Sequence, residues 1–353
     1  MNSSIKPSTF PHRFRPVGIA GQSGLSMVEI MIAITIGLLL LAGMATLFAQ
    51  QSSSSDELEK AGRQIENGRY AMQLLQDDIR HAGYYGEYSP TSATIPASLP
   101  DPCATTLASL DPAMALPIQG YDAPATVPSP LSACLSDANH KAGTDILVIR
   151  RVDAGEEDEV DDAVAGQVYL QTTPIAYVLG SGSNTSVFTL KKKDATELAE
   201  LRKYYVRIYF VSPCSMPAGG GTSCTGSSDD NGRPIPTLKR LDLTVVGGAT
   251  AFSITPLVEG IDQLQLDYGL DTTGDGTPDS YTTAPASTTD WANVMAVRVN
   301  LLARNNDPSG GYTDGKTYTL GSAGSFGPFN DAYKRHAYNA LVRATNPSGR
   351  REQ

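Results

Sequence analysis

The pattern of apolar and polar positions divides the chain into a short apolar block near the N-terminus and a long region of alternating residues. Residues 30–49 (IMIAITIGLLLLAGMATLFA) contain no charged side chain. As an α-helix they would be about 30 Å long, which matches the hydrocarbon core of a bilayer. The block is longer than the apolar part of a secretory signal, and its apolar residues surround the whole helix. The pattern therefore predicts one membrane span.

After the span, apolar residues follow the seven-residue spacing of an amphipathic helix. The two rows of this stripe are Leu58, Ile65, Met72 and Ile79, and Ala61, Gly68, Leu75 and Ala82. No proline occurs between Val17 and Ser89, so we expect the helix to continue from the span. The second half of the stripe is expected to pack against the protein's own sheet.

Further along the chain, the hydrophobic period changes from helical to alternating. The pattern predicts strands in residues 144–152, 167–179, 203–211, 238–246, 261–268 and 293–304. Residues 332–344 can form a strand or a helix, and we favour a strand. In the third strand we expect Val206, Ile208 and Phe210 to face inward, and Tyr205, Arg207 and Tyr209 to face outward. In the fifth, Leu264, Leu266 and Tyr268 alternate with Gln263, Gln265 and Asp267. Several strands after one helix predict an α+β fold with an antiparallel sheet and long loops at 89–130, 212–236 and 272–290.

Charge and cysteine content place this sheet region outside the cell membrane. The chain has 37 acidic and 27 basic residues, an acidic balance that argues against nucleic-acid binding. Residues 1–28 contain Lys6, Arg13 and Arg15 but no acidic residue, so the N-terminus is expected in the cytoplasm. The four cysteines suit an oxidising compartment. Three pairings are possible, and we favour Cys103–Cys134 with Cys214–Cys224 because each pair flanks a loop rich in proline, glycine and serine.

The start of the span resembles the processing signature of type IV prepilins, in which a glycine precedes the cleavage site and a glutamate lies five residues into the mature chain. Here Gly24 is followed by Leu25-Ser26-Met27-Val28-Glu29. The resemblance implies cleavage after Gly24 by the prepilin peptidase and methylation of the new amine on Leu25. It also implies that Glu29 pairs with the terminal amine of a neighbouring subunit. A carboxylate at the membrane edge is costly unless it is paired, which agrees with this role.

A second resemblance narrows the family. Residues 75–88 (LQDDIRHAGYYGEY) resemble the D-I-R-x-A-G-Y-x-G end of the first helix in PilW-like minor pilins, and residues 203–211, 236–243 and 291–304 resemble strands of that family. The resemblance implies a pilin-like fold: a leader (1–24), a transmembrane half-helix (25–49), a periplasmic half-helix (50–85) and a β-rich head (86–353). The long helix would be half in the membrane and half packed on the antiparallel sheet of the head.

The same resemblance implies a function in type IV pilus assembly, in priming the fibre and at its tip, with no catalysis. The protein would lie in the inner membrane with its head in the periplasm, and in the pilus after assembly. Implied partners are the prepilin peptidase, other minor pilins, the major pilin and a tip adhesin. Two alternatives stay open: a minor pseudopilin of a type II secretion system, and a membrane-anchored calcium-dependent adhesin.

One loop has the spacing of a calcium site. In residues 271–279 (DTTGDGTPD), oxygen ligands would come from Asp271, Thr273, Asp275, Thr277 and Asp279, with Gly276 at the sharp turn. The twelfth position holds Thr282 instead of glutamate, so a bidentate ligand would have to come from elsewhere. The alternative is an ordinary turn rich in aspartate and glycine. Calcium is the one cofactor that the sequence suggests.

Overall fold

The computed structural model describes residue 24, residues 26–90 and residues 94–352. Most of the predicted leader and Leu25 lie outside the described residues. The chain divides into two compact units, Met1–Asp56 and Glu57–Gln353. The first helix, α1, extends from Met27 to His81, which confirms the prediction of one long, uninterrupted N-terminal helix.

In the first unit, the side chains of α1 are almost all exposed. The most apolar window of the helix has a mean hydropathy of 2.4, and none of its residues is buried. By length and composition, α1 is the helix among the described residues that could cross a membrane.

The second unit contains two larger antiparallel sheets and a two-stranded ribbon. The seven-stranded sheet consists of β1 (Ile118–Tyr121), β2 (Ile146–Val152), β3 (Val168–Thr173), β4 (Ala176–Ser181), β5 (Leu201–Ser212), β6 (Thr237–Val246) and β7 (Ala249–Glu259). Its central strand, β5, pairs with β2, β3 and β6. The four-stranded sheet has the order β13 (Arg335–Arg343), β10 (Val294–Arg304), β8 (Ile261–Leu270) and β9 (Ser280–Thr282). The ribbon is β11 (Tyr318–Thr319) with β12 (Ser325–Phe326), and the short helices are α2 (Leu107–Ala113), α3 (Thr288–Ala292) and α4 (Thr345–Arg351).

The seven predicted strand segments all contain strands, so the α+β prediction with an antiparallel sheet is confirmed. Several details of the prediction are wrong. The expected loop 89–130 contains α2 and β1, and the expected loop 272–290 contains β9 and the start of α3. Residues 167–179 are not one strand, because β3 turns back at residues 174–175 and pairs with β4. The long strand β7 was not predicted at all; it pairs along the whole of β6.

Two hydrophobic cores lie on opposite faces of the seven-stranded sheet. The first is enclosed by α1 and both sheets, and it contains Leu75 and Ile79 of the helix together with Leu147, Leu266 and Trp291. The second lies on the other face of the seven-stranded sheet, where the segment around α2 covers its strands. Its members include Leu110, Leu131, Val148, Ile208 and Phe210.

Because both faces are covered, the predicted outward residues are not all exposed. Val206, Ile208 and Phe210 are buried as predicted, but Tyr209 is also buried, since its face of β5 contributes to the first core. Strand β8 is likewise buried on both faces. Gln265 donates to the carbonyl of Gly143 at 2.8 Å, and Asp267 accepts from the amide of Ser322 at 3.1 Å.

Candidate functional site on the N-terminal helix

Helix α1 has two different surfaces along its length. Its large apolar side chains near the N-terminus are exposed on every side, including Met27 (86%), Leu39 (72%) and Phe48 (76%). Within residues 57–81, the buried residues are Gln64, Gly68, Ala71, Met72, Leu75, Asp78 and Ile79. An exposed apolar surface of this size is typical of a segment that contacts lipid or other proteins. The buried residues in turn hold the second half of α1 against the sheets.

Glu29 lies in the first turn of α1, where its side chain is exposed. A carboxylate in this position interacts favourably with the positive end of the helix dipole. Ser26 provides the first backbone acceptor of the helix, at 3.0 Å from the amide of Glu29. The processing role of Gly24 and the pairing of Glu29 stay predictions, and Leu25 lies outside the described residues.

Asp78 is the centre of a buried ion-pair network between α1 and the seven-stranded sheet. Its Oδ1 accepts from Nε of Arg151 at 2.8 Å and from an Nη of Arg207 at 2.6 Å. Its Oδ2 accepts from the hydroxyl of Tyr209 at 2.6 Å. Burial alone would raise the pKa of Asp78, but Arg207, Arg151 and the tyrosine hydroxyl outweigh it, so the pKa lies below its usual value. The charged carboxylate therefore fixes the end of α1 on the sheet.

Near Glu57, a second set of polar contacts holds the helix. The carboxylate of Glu57 accepts from the hydroxyl of Ser309 at 2.7 Å and pairs with Lys60 and Lys334. The hydrogen bond from Lys334, followed by those from Ser309 and Lys60, lowers the pKa of Glu57 to about 2. Two turns further along, the amide of Gln64 donates to the carbonyls of Ala303 and Lys334 at 2.8 and 2.9 Å.

Between these two polar anchors, a glycine lets the helix approach the four-stranded sheet. A Cβ on Gly68 would lie 2.2 Å from the ring of Tyr338 on β13. The hydroxyl of Tyr338 donates to the carbonyl of Ile65 at 3.4 Å. The tyrosine ring therefore lies directly on the helix at Gly68, where there is no side chain in the way.

The loop with calcium spacing is a hydrogen-bonded turn. The residues predicted to bind calcium were Asp271, Thr273, Asp275, Thr277 and Asp279. Asp271 is buried, and its Oδ2 accepts from Arg351 at 3.0 Å and from the amide of Gly276 at 2.9 Å. Asp275 accepts from the amide of Thr277 at 2.8 Å, and Asp279 from the amide of Thr272 at 2.7 Å. In this arrangement, a guanidinium and loop amides contact the carboxylates. Calcium binding stays an untested prediction.

Two disulfides stabilise the loops of the head. The structure has the favoured sequential pairing, with Cys103 bonded to Cys134 and Cys214 to Cys224. Within the described residues, the His, Cys, Asp and Glu side chains that approach one another closely enough to share a metal are Cys214, Cys224 and Asp229. Disulfide sulfurs are not thiolate ligands, so this group does not form a metal site.

One stretch of the chain matches a known protein family. Residues 225–346 match the model of the family described as Type IV Pilus-assembly protein W. The match supports a PilW-like family assignment. It covers all of β6, the four-stranded sheet and the ribbon, so it does not address the prepilin motif on α1. No curated protein matches the chain.

The PilW-like assignment supports involvement in type IV pilus assembly, with other pilus components as partners. Membership of a pilus-assembly family would suggest a structural, non-catalytic protein. The long apolar helix fits membrane anchoring.

Sequence reasoning missed the polar contacts that hold α1 on the head. Asp78 is the aspartate of the D-I-R sequence that resembles PilW-like minor pilins, but its burial was not predicted. A signal was present, because Asp78 lies three residues after Leu75 and next to Ile79, on the apolar side of the helix. An acidic residue at such a position requires a buried cationic partner. Glu57 and Gln64 gave no comparable signal, since the partners that join them to the sheet region lie more than 200 residues away in sequence.

Proposed function

We propose that the chain is a minor pilin that helps to prime the type IV pilus and occupies its tip, and that it acts by helix packing. The observation that carries the proposal is the division of α1 into two parts: an apolar part that no described residue of its own unit covers, and a part held by the head. A pilin needs such a helix, because the apolar part lies in lipid before assembly and against other pilins afterwards.

In this proposal, the prepilin peptidase cleaves after Gly24 in the inner membrane, and the new amine of Leu25 is methylated. Glu29 then pairs with the terminal amine of a neighbouring minor or major pilin. Two opposite charges in a low-dielectric helix bundle are favourable only when they meet, so the pair selects the register between subunits. The head lies in the periplasm, where a tip adhesin is a further partner.

Mass spectrometry of the mature N-terminus tests the processing step. A methylated Leu25 supports a pilin, whereas an intact Met1 would show that no processing takes place. Loss of twitching after deletion of the gene supports a pilus role. Loss of exoprotein release would instead point to a pseudopilin of type II secretion.

Glu29→Ala tests the pairing step. The variant is expected to insert and to be cleaved normally, but to reduce the number of surface pili at least about tenfold. Thr35→Ala is a matched control, because among the described residues the hydroxyl of Thr35 bonds within its own helix, to the carbonyls of Met31 and Ile32. Equal pilus counts in both variants would count against the role of Glu29.

A further inference from the structure

Strand β13 forms a free edge of the four-stranded sheet. It pairs with β10 along its whole length, from Arg335 opposite Arg304 to Arg343 opposite Ala296, without a register shift. On its other side it has no strand partner among the described residues. Residues 336–342 (HAYNALV) contain neither proline nor any lysine, arginine, aspartate or glutamate. Proteins normally protect an edge of this length by such residues or by a bulge.

The pairing with β10 shows which backbone groups are free. At the two ends of the strand, Ala344 donates to the carbonyl of Met295, and the carbonyl of Lys334 accepts from Asn305. Hydrogen-bonded and non-bonded pairs alternate in an antiparallel ladder, so the even-numbered residues between these ends also bond to β10. The amides and carbonyls of Ala337, Asn339 and Leu341 therefore point away from β10. All three residues are exposed.

The other strands at sheet ends are short, covered or interrupted. β1 has four residues and β9 has three. β7 contains Pro256, and its register with β6 shifts next to Leu238. β4 is covered by the turn after it, since a Cβ on Gly180 would lie 2.6 Å from the ring of Phe188. Among the described strands, β13 is thus the long edge without protection.

A groove of about 980 Å³ lies between this edge and α1, lined by Tyr338 and Asn339 of β13 and by one side of the helix. Ile65, Tyr70 and Met72 supply its apolar surface. Side chains at alternate positions of an added strand would enter this groove, which is the usual way that strand addition obtains specificity. The guanidinium of Arg69 also lines the groove and forms no ion pair within the part of the chain that the structure describes.

We propose that an extended segment of a different pilus subunit adds to the free edge of β13 as a further strand. The occupant is defined by chemistry: its backbone supplies the complement to the free amides and carbonyls, its apolar side chains enter the groove, and an acidic side chain meets Arg69. This inference rests on the proposed function, because it assigns the surface by which the proposed minor pilin binds a partner subunit.

A second copy of the chain fits this edge less well. Helix α1 and β13 run in the same direction, because Gln64 bonds to Lys334, and Ala82 at the end of the helix accepts from Asn346. A two-fold dimer through β13 would pair the strands antiparallel and would therefore turn the two α1 segments in opposite directions. Subunits anchored in one membrane share one direction.

Photocrosslinking in pilus-forming cells tests the contact with the full-length chain. The variant Leu341→p-benzoylphenylalanine is expected to crosslink to another protein with a prepilin-type N-terminus, in a segment that forms a strand. The same probe at Thr255, which is exposed on the interrupted edge β7, is expected to give at least about tenfold less product. A crosslink from residue 341 to a second copy of this chain, to a non-pilin protein or to nothing would overturn the proposal.

Two substitutions at one position test the backbone contact. Asn339→Pro removes a free amide that β10 does not use, so an edge strand tolerates it. Asn339→Ala loses the same side chain but keeps the amide. We expect the crosslink from residue 341 to fall about tenfold in Asn339→Pro and to stay within twofold in Asn339→Ala. Equal yields would overturn the proposal.

If Asn339→Pro fails to accumulate, Ala337→Lys tests the same contact, because it adds a charge to the edge of β13 and leaves the backbone unchanged. It too is expected to lower the crosslink from residue 341 about tenfold, and an unchanged yield would overturn the proposal. Methylation of Leu25 and the effect of Glu29→Ala are measured independently. If both are positive while these crosslinks fail, the strand addition is wrong and the pilin function stands.

Discussion

Asp78→Asn removes the negative charge that two arginines share at the end of α1, while it keeps the size of the side chain. Arg151 and Arg207 lie 2.8 and 2.6 Å from Oδ1 of Asp78, which itself has only 4% of its side chain exposed. In the variant, the nearest remaining carboxylate of this network is Asp242, which lies 3.4 Å from Arg207. Two guanidinium groups would then share a mostly buried site with little compensation.

The expected cost follows from this geometry. Removal of one partner of a buried ion pair costs about 3–5 kcal/mol of the free energy of unfolding. The two arginines keep 12% and 16% of their side chains exposed, and Asp242 stays in place, so we expect the lower value, about 3 kcal/mol. Because the folded-state pKa of Asp78 lies below 3.8, the contribution is complete above that pH. It disappears as the pH falls through the folded-state pKa.

The assay uses Trp291, which is the single tryptophan of the chain and lies in the core that α1 completes. Its fluorescence follows unfolding of the full-length chain in guanidinium chloride and a mild detergent. Asp77→Asn is the matched control, because Asp77 is 55% exposed and lies 3.6 Å from Arg80. The control is expected to change the free energy of unfolding by less than about 0.5 kcal/mol. A difference below about 1 kcal/mol between the two variants would refute the reasoning.

Three further predictions concern the second unit. Glu57→Gln should lower the thermal midpoint at pH 7, because the lysines and the serine lower the pKa of this carboxyl group to about 2. The thermal midpoint of the variant should also fall less steeply than that of the wild type between pH 4.5 and about 2. Parallel curves of thermal midpoint against pH for the two proteins would contradict this prediction. Gly68→Ala should lower the free energy of unfolding by about 1–3 kcal/mol, because the new Cβ would lie 2.2 Å from a tyrosine ring. Gly62→Ala should raise the free energy of unfolding by up to about 1 kcal/mol, because a Cβ there meets nothing within 4 Å. A change of the same sign in both variants would contradict the close packing of Gly68 on the tyrosine ring. If residues 271–279 bind calcium, Arg351→Ala should strengthen the calcium-induced rise in thermal midpoint, since it frees the carboxylate of Asp271; no rise in either protein would refute calcium binding.

Local pattern was sufficient for much of the fold. The apolar block and the seven-residue stripe predicted α1 because both depend only on neighbouring residues. Leu58 and Ile65, at the start of the stripe, are 75% and 49% exposed, whereas Met72 and Ile79 are buried, as expected for its second half. Strands with clear alternation, such as β5 and β10, were found for the same reason.

The errors have a common physical cause, which is tertiary contact. Strand β7 (ATAFSITPLVE) alternates poorly and contains Pro256, so only its pairing with β6 makes it a strand. Tyr209 was placed outward because alternation assumes one solvated face, but the sheet has a core on each face. The partners of Asp78 lie 73, 129 and 131 residues away, a distance at which pattern analysis has no information.

The way α1 lies on the head has a mechanical consequence. The contacts of Glu57, Gln64, Gly68 and Asp78 are spread over about 30 Å of helix that runs in the same direction as β13. Tension along the helix axis therefore loads these contacts at the same time, in shear, instead of peeling them off one after another. A subunit that transmits the pulling force of a retracting fibre would resist detachment of its head by this geometry, with the buried charge of Asp78 at the far end.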